Sequence, residues 1–510
     1  MKTRYRVYLL IVLGIIIANS SFAQSNRPNL EIRTLIVFFD GLRPDYITPE
    51  IMPNVYAFSK KGSYGKQHHS VFPTVTRVNA SSYSTGSYPG THGLLGNTVY
   101  FPQVSKTTGL NTGDAAELEK ITKATNNNLL TSISLGEVLQ QNGYKMMVFS
   151  SGSTGQAYMQ NHKLSGGAII NPSMILPESL KLTVMSEIGA VPPGLAKHKW
   201  LADAVMKYGI TMDGPLVSAI WFGDPDGAAH SFGIGSQQAM ESIKYVDAQF
   251  GRIISDLESK GLIDKFNIVI STDHGFVTQI GKQASLADFL IQKGLKKDKE
   301  SDDVVIAEGA IYVKNHDPEL IKKIVNTLQQ EEWVGGIFTK GTKKGDTKGS
   351  VEGTLSFEAI HWDHSERSSD ILIDLNWNDE KNEAGYAGKS YARGVAGHGG
   401  FSRHEVQIAL LASGPGFKKS FEGNLPTSNV DIVPTILHLH NIPVPAQMDG
   451  RVMYEILTEK APAGTLTKAK VETVKTMVSL PWGNYNLLLE RSIFGKYTYT
   501  NFSSVSRETK

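Results

Sequence analysis

Five short apolar runs, rich in β-branched residues, constrain the fold of this 510-residue chain more than any other feature. Within each run apolar residues do not alternate with polar ones, which is typical of strands buried on both faces of a parallel sheet. Helical patterns lie between the runs, and strands alternating with helices predict an α/β fold with a mainly parallel sheet flanked by helices. The runs are 34–39, 146–149, 216–222, 267–270 and 406–411.

One stretch between these runs shows the helical pattern most clearly. From 236 to 260 the apolar residues recur at every third or fourth position, and Gly261 follows as a stop signal. This spacing predicts an amphipathic helix that packs on the sheet.

The chain is long for a single hydrophobic core, and its pattern changes partway along. Residues 283–367 contain charge runs and a stretch rich in Gly and Lys, which predict a small α+β cap inserted into the core. The core is therefore expected to comprise 24–282 and 368–457. A C-terminal segment, 458–510, has weak signals for regular structure.

The first residues predict a targeting segment. Lys2 and Arg4 form a basic start, an apolar run covers 8–18, and small residues occupy the expected cleavage positions at 21–23. The run is short for a membrane span, which needs roughly 20 apolar residues. A cleaved signal peptide over 1–23 is therefore favoured over an uncleaved anchor. Export to the periplasm or the medium follows, with no transmembrane anchor after signal removal.

The formal net charge is only +2, so no strong field points to nucleic acid or an anionic membrane. Binding of a nucleic-acid duplex is not implied. The sequence does not determine the oligomeric state.

Acidic residues and histidines follow three of the apolar runs. In open parallel sheets, ligands bind outside the carboxyl ends of the strands, so these side chains are expected to gather at one edge. Adjacent residues on a strand point to opposite faces, so Asp273 and His274 can share a ligand only from a loop. A further histidine, His398, lies among glycines. The set comprises Asp40, Asp224, Asp226, His230, Asp273, His274 and His398.

The chain has no cysteine, which excludes disulfides, thiol catalysis and cysteine zinc sites. Any one of these acids or histidines alone would more often be a helix cap, a turn residue or a surface group. Together, three Asp and three His fit two sites with three oxygen or nitrogen ligands each. Zinc suits that ligand mix best, with manganese or iron as alternatives.

The stretch 72–97, FPTVTRVNASSYSTGSYPGTHGLLGN, holds more hydroxyls and glycines than a turn requires. Two cations about 3.5–4 Å apart are a recurring device for in-line phosphoryl displacement. Beside them, this stretch could supply a nucleophilic hydroxyl and a phosphate cradle. If a helix starts after Thr76, its N-terminal amides would also favour a bound anion.

Five motifs taken together resemble those of the type I phosphodiesterase/nucleotide pyrophosphatase family, within the alkaline phosphatase superfamily. Their order and spacing agree from about residue 34 to residue 457. The resemblance implies an alkaline-phosphatase-like core and an exported hydrolase of phosphodiester or pyrophosphate bonds. It also implies two divalent metal ions, a small phosphodiester substrate and a phosphothreonine intermediate. The motifs are FFDGLRPDYI, the stretch 72–97, DPDGAAHSFG, STDHGF and GHGGF.

The resemblance also implies individual roles. Thr76 would be the nucleophile, with Thr74 and Ser81 as rival hydroxyls, and Asn97 would donate to a non-bridging phosphate oxygen. Asp224 occupies a position where many members have a Glu, and it would contact the metal ligands without binding the metal itself. His92 is expected to be structural. The first metal would be held by Asp40, Asp273 and His274 beside Thr76, and the second by Asp226, His230 and His398.

The sequence departs from many relatives around the nucleophile, where they have Lys-Thr-Phe-Pro-Asn-His and this chain has VTRVNA. Arg77 would reach phosphate or a substrate acid, or else be a solvated helix residue. Phe72 and Tyr100 would stack on a base or line an alkyl pocket, with core packing as the alternative.

In one group of monoester-cleaving relatives, Lys or Arg residues follow the strand that corresponds to 144–151, YKMMVFSS. Here no basic residue follows before Lys163, which favours a diester, although Arg77 or Lys163 could substitute. The alternatives are a phosphomonoesterase, a phosphonate hydrolase or a non-catalytic secreted metal-binding protein. A sulfatase is weakest, because its nucleophile motif is missing from the sequence.

Overall fold

The fold is taken from a computed structural model, which describes residues 31–509. The predicted signal peptide lies outside the described residues. Within them, no helix combines the length and the apolar character needed to cross a membrane.

Ten strands of the described chain form the main sheet. Its central strand, Arg33–Phe39, pairs in parallel with Val217–Phe222 on one side and with Phe266–Ser271 on the other. The predicted α/β fold with a mainly parallel sheet is thus confirmed. Across the sheet the strands are Phe421–Gly423, Ser63–His69, Gln407–Ser413, Phe266–Ser271, Arg33–Phe39, Val217–Phe222, Met146–Ser150, Ala168–Asn171 and Met174–Leu176, with Thr427–Ser428 also paired to Ser63–His69.

The central strand explains why apolar residues do not alternate with polar ones. Ile36 and Phe38 pack into the core on one face of the sheet, whereas Leu35 and Phe39 pack into the core on the other. Burial on both faces requires apolar side chains at every position. All five predicted runs form strands, but Gln407–Ser413 runs antiparallel to its neighbours.

Helices cover both faces of the sheet. The predicted amphipathic helix spans Gln237–Ser259, and the Ser236 side chain caps it by accepting a hydrogen bond from the backbone of Ala239. The helices are Pro53–Lys61, Thr76–Thr85, Pro89–His92, Ala115–Ala124, Leu135–Gln141, Thr154–Gln160, Lys181–Ile188, Ala196–Ala204, Asp226–Phe232, Gln237–Ser259, Leu286–Gln292, Pro318–Leu328, Arg403–Val406 and Ile432–Leu439. Short 3-10 turns occur at Pro44–Tyr46, Glu178–Leu180, Ile263–Lys265, Lys314–His316, Glu358–Ile360, Asn429–Asp431 and Tyr454–Ile456, with a π-helical turn at Val205–Gly209.

A second sheet occupies the region predicted as a cap. Its strand Ile371–Leu375 pairs with Ala310–Val313 and Val334–Thr339, so this sheet extends past the predicted boundary at 367. The remaining domain boundaries stay predictions. The cap-sheet strands are Val304–Ala307, Ala310–Val313, Ile371–Leu375, Val334–Thr339 and Leu355–Ser356. Two further small sheets comprise Trp377–Lys381, Ala387–Ser390, Val277–Gln279 and Ala396–Gly397, and Thr98–Val99 with Leu110–Asn111.

The C-terminal segment forms an antiparallel meander of three strands, Lys470–Leu480, Gly483–Phe494 and Tyr497–Thr509. It packs on the cap sheet, because the Tyr485 hydroxyl donates a hydrogen bond of 2.8 Å to the carbonyl oxygen of Gly335. Tyr485 shares the apolar core of the cap. The segment therefore supports the sheet that covers one side of the candidate site.

Candidate active site

Three acids meet at the carboxyl edge of the main sheet because their strands are adjacent and in register. Phe39 lies opposite Phe222, and Phe38 lies opposite Ser271. Asp40 and Asp226 follow the first of these pairs, and the backbone N–H of Asp226 donates to the carbonyl oxygen of Asp40 at 3.0 Å. The edge predicted to gather acidic side chains therefore does so.

Asp40, Asp273 and His274 form one group of converging side chains, all buried. His274 Nε2 lies 3.0 Å from Asp273 Oδ2 and 3.6 Å from Asp40 Oδ1. Asp273 and His274 lie in the loop after Ser271 rather than on the strand, which lets both point the same way.

Asp226, His230 and His398 form the second group. The Nε2 atoms of both histidines lie 3.2 Å from Asp226 Oδ1. Asp226 and His230 are four residues apart on the helix Asp226–Phe232, which places them on one face. The third member comes from a loop in which Gly399 has φ +114, a conformation that favours glycine.

Each histidine is oriented through its other ring nitrogen. Nδ1 of His274, His230 and His398 lies 2.9, 2.9 and 2.8 Å from the carbonyl oxygens of Gly275, Ala396 and Thr74, respectively. A carbonyl accepts only, so each Nδ1 carries the proton and donates it. In the neutral ring, Nε2 then presents its lone pair toward the carboxylates, which is the arrangement of metal-binding histidines.

In each of the three aspartates, one carboxylate oxygen near these Nε2 atoms has no hydrogen-bond partner. Asp40 Oδ1, Asp226 Oδ1 and Asp273 Oδ2 are all buried and unpartnered. Burial lowers the pKa of His398 to about 4, so at neutral pH its Nε2 does not donate to Asp226. Carboxylate oxygens and imidazole nitrogens gathered this closely favour a cation between them, and these donors fit a divalent metal.

The carboxyl group of Asp40 shows how much negative charge is gathered here. Burial, followed by the charges of Asp273 and Asp226, raises its pKa well above the ordinary value, against a hydrogen bond from the Trp221 indole at 2.9 Å. Bound cations would relieve this repulsion.

Thr76 is the first residue of the helix Thr76–Thr85 and is buried next to the first group. Its Oγ1 lies 3.3 Å from His274 Nε2. The rival hydroxyls bond to backbone instead: Thr74 Oγ1 donates to the carbonyl of Gly400 at 2.7 Å, and Ser81 Oγ donates to that of Arg77 at 2.9 Å. Of the three, only Thr76 faces the candidate metal ligands.

The side-chain orientation of Asn97 is fixed by a hydrogen bond to its amide oxygen. Its Oδ1 accepts a hydrogen bond of 3.1 Å from the backbone N–H of Arg77, the residue after Thr76. This bond leaves the side-chain NH₂ group as the donor that faces away from the helix. Asn97 therefore has the orientation needed to donate to a phosphate oxygen.

A cavity of about 860 Å³ opens over these residues, between the sheet edge and the cap sheet. Thr76, Arg77 and Asn97 line it together with the second histidine group. Arg77 Nε is buried without a hydrogen-bond partner. Phe72 also lines the cavity, but its ring stacks on Phe401 at a centroid distance of 3.9 Å, which is core packing.

Two other residues considered for the substrate lie elsewhere. The Tyr100 hydroxyl donates to the carbonyl of Lys106 at 3.1 Å, and Tyr100 is not among the described residues that line the cavity. Lys163 is exposed at its ammonium group, which donates to the carbonyl of Asn127 at 2.7 Å. Neither side chain compensates charge in the cavity.

Sequence reasoning missed two features of the site. Glu308 lines the cavity from the cap. The sequence Glu308-Gly309 predicts a turn but does not indicate that this turn faces the active site. The buried imidazole of His198 lies 2.7 Å from Asp224 and 2.9 Å from the Ser151 hydroxyl. A single histidine on an amphipathic helix carries no signal for such a role.

Comparison with known proteins yields matches over most of the core. The family profile described as Type I phosphodiesterase / nucleotide pyrophosphatase matches residues 34–380. Human ectonucleotide pyrophosphatase/phosphodiesterase family member 7 is 24% identical over 286 residues, 56% of this chain and 56% of its own length. Bovine bis(5'-adenosyl)-triphosphatase ENPP4 is 23% identical over 415 residues, 80% of this chain and 78% of its own. The matched regions span 53%, 58% and 56% of family member 7 from rat, mouse and human.

Solved structures show the same fold. Murine ectonucleotide pyrophosphatase/phosphodiesterase 5, an inactive threonine-to-alanine variant in complex with AMP, has a TM-score of 0.59 and 18% identity. It covers 84% of this chain and 100% of its own. The human protein of the same name has a TM-score of 0.58 and 17% identity, with the same coverage. At this identity the likeness establishes the fold alone.

Proposed function

The chain belongs to the type I phosphodiesterase/nucleotide pyrophosphatase family, and from this premise we propose that it is an exported, two-metal phosphoric diester hydrolase with Thr76 as nucleophile. One observation carries the proposal. A buried group and a partly exposed group, each of three oxygen and nitrogen donors, converge beside a threonine hydroxyl that begins a helix and faces a cavity.

The first chemical step is attack of Thr76 Oγ1 on phosphorus. The hydroxyl gives up its proton as the new O–P bond forms, and the P–O bond to the leaving group breaks with its electron pair. The departing oxygen is an alcohol or a phosphate, and the product on the enzyme is phosphothreonine. The helix N-terminus and the Asn97 amide would hold the non-bridging oxygens during this step.

In the second step the Thr76 oxygen is the leaving group instead of the attacking group. Water attacks phosphorus, the bond to Thr76 breaks, and the threonine oxygen recovers a proton while phosphate or a phosphomonoester departs. Divalent cations held by the six donors, zinc foremost, would supply Lewis-acid stabilisation of the charge that develops on the reacting oxygens. Thr76 is the first residue of the helix Thr76–Thr85, so the same oxygen takes part in both steps.

The cavity favours a singly charged phosphate. Among the described residues that line it, Arg77 and Arg393 are the lysine or arginine side chains. The segment after the strand Met146–Ser150 forms a helix cap at Ser153 without a basic residue. A diester needs less charge compensation than a monoester, so a small phosphodiester or pyrophosphate is the proposed substrate.

A phosphomonoesterase is the second candidate, because Arg77 has a buried, unpartnered Nε next to the nucleophile. The similar proteins support nucleotide substrates: one relative is a bis(5'-adenosyl)-triphosphatase, and one structure of similar fold is in complex with AMP. These two observations leave nucleotide diesters as the first substrates to assay.

The test compares hydrolysis of bis-p-nitrophenyl phosphate with that of p-nitrophenyl phosphate by the purified protein, with and without a chelator and with zinc restored. We expect higher kcat/KM on the diester and loss of both activities with chelator. A preference for the monoester would favour the second candidate. No turnover of either substrate in the presence of zinc would contradict the proposed hydrolase.

A further inference from the structure

Glu308 reaches the cavity from the tip of a cap hairpin. It lies between the paired strands Val304–Ala307 and Ala310–Val313, followed by Gly309. Its backbone has φ +56, in the left-handed region that a non-glycine residue seldom adopts. Backbone strain of this kind persists where the surrounding structure requires a residue to point in one direction, and functional sites are enriched in it.

The carboxylate of Glu308 is held by the backbone of Asn97, whose side chain is proposed to donate to phosphate. Its Oε2 accepts a hydrogen bond of 3.0 Å from the backbone N–H of Asn97. Solvent reaches the residue through the cavity, yet burial of the carboxyl group raises its pKa to about 7, opposed by the charge of Arg77 and by the amides of Asn97 and Thr98. No lysine or arginine of the described chain forms an ion pair with it within 4.0 Å.

Above about pH 7, where the Glu308 carboxyl is mostly ionised, this position sets a negative charge close to the proposed phosphate site. Asn97 is both the backbone anchor of Glu308 and the side chain proposed to donate to phosphate, and Arg77 links Asn97 to Thr76. A carboxylate that lines the same cavity repels a doubly charged phosphate more than a singly charged one. It also offsets the attraction that Arg77 alone would exert on a dianion.

We propose that Glu308 is a specificity-determining residue, which disfavours dianionic phosphomonoesters in the cavity and thereby selects singly charged phosphodiesters. This inference rests on the proposed function, because it assigns the phosphate to the site beside Thr76. The cap hairpin would then act in substrate choice as well as in covering the cavity.

The variant Glu308→Gln tests the charge while leaving the shape unchanged. Its amide oxygen can still accept the hydrogen bond from Asn97, so the segment that carries Asn97 keeps its anchor. Glu319→Gln is the matched control, because Glu319 is an exposed residue in the first turn of the cap helix Pro318–Leu328. Both variants remove one negative charge from the cap.

The measurements, made at alkaline pH so that the Glu308 carboxyl is ionised, are kcat/KM for p-nitrophenyl phosphate and bis-p-nitrophenyl phosphate, and the Kd of inorganic phosphate by calorimetry with zinc present. For Glu308→Gln we expect kcat/KM on the monoester to rise about fivefold or more, that on the diester to change less than about twofold, and phosphate to bind about fivefold tighter. The control should match wild type. Equal changes on both substrates, or none with unchanged phosphate affinity, would overturn the inference.

Failure of the proposed function gives a different result. If the wild-type protein turned over neither substrate, the hydrolase would be wrong, and the phosphate titration would still decide on Glu308. Tighter phosphate binding in Glu308→Gln alone supports the repulsion. Unchanged binding in all three proteins refutes it.

Discussion

Nε2 of His198 lies 2.7 Å from Oδ2 of Asp224, two residues before the candidate metal ligand Asp226. On its other side, His198 Nδ1 lies 2.9 Å from the Ser151 hydroxyl. Asp224 Oδ1 in turn accepts a hydrogen bond of 3.1 Å from the backbone of Ala228, within the helix that carries Asp226 and His230. A chain of buried hydrogen bonds thus connects the helix that carries the candidate ligands Asp226 and His230 to the neighbouring strand end.

His198→Ala is therefore expected to weaken metal binding without removing a ligand. Loss of an outer partner of this kind typically costs about tenfold or more in metal affinity. Competition with a chromophoric zinc chelator measures that affinity, and a melting curve checks that the variant is folded. His316→Ala serves as control, because the His316 side chain is 82% exposed. A folded His198→Ala protein with wild-type zinc affinity would show that the chain is only structural.

Thr76→Ala should abolish turnover, by about 10³-fold or more, because no neighbouring hydroxyl can replace the nucleophile. Metal content should stay near that of wild type, since the six proposed ligands are intact. Ser81→Ala removes a hydroxyl from the same helix that bonds only to backbone and should retain activity. Steady-state rates and elemental analysis measure both effects. Wild-type activity in Thr76→Ala would rule out this nucleophile.

Asn97→Ala should lower kcat by about 10²-fold or more, the usual cost of losing one donor to a transition-state oxygen. KM should change less, because the interaction strengthens as charge develops on the phosphate oxygens. The comparison variant is Asn111→Ala, an exposed asparagine in the neighbouring hairpin. A rise in KM with unchanged kcat would instead assign Asn97 to substrate binding alone.

The strands and the clustering of ligands could be predicted from the sequence because both depend on local pattern. The apolar run 34–39 predicts a buried strand, and Asp40, which follows it directly, must therefore lie at the carboxyl end of that strand. The sequence predicts that the core resumes at 368, whereas Ile371–Leu375 joins the cap sheet, because an apolar strand gives no indication of which sheet it joins. Glu308 and His198 could not be predicted, because their roles depend on how the cap hairpin and a helix pack against distant segments.

Asp226→Asn should reduce the metal content from about two ions per chain toward about one. The amide is a neutral, weaker ligand than the carboxylate, and the first group of donors, which includes Asp40, is left unchanged. Elemental analysis after dialysis against trace zinc gives the stoichiometry. Asp264→Asn, at an exposed position, controls for the loss of one negative charge. Two ions in Asp226→Asn would contradict the proposed second site.

Buried histidines away from the metal groups should make the fold sensitive to acid. Burial lowers the pKa of His68 to about 3, and that of His92 to about 3 as well. Above pH 6.5 both are neutral in the folded and unfolded chains, so they contribute no pH dependence. Below pH 6.5 the unfolded chain binds protons that the folded chain does not, so stability falls until the pH reaches about 3. The slope is about 1.4 kcal/mol per pH unit for each histidine.

The variant His92→Gln isolates one of these contributions. His92 is buried, with Nε2 2.9 Å from the Ser82 hydroxyl and Nδ1 accepting from the backbone of Leu94 at 3.1 Å, so the variant will be less stable at every pH. The informative quantity is the loss of unfolding free energy between pH 7 and pH 5, measured by urea denaturation in chelator. We expect that loss to be about 2 kcal/mol smaller than in wild type. His316→Gln is the control and should leave that loss unchanged, because the His316 side chain is 82% exposed. An equal loss in His92→Gln and wild type would show that His92 is not held neutral by burial.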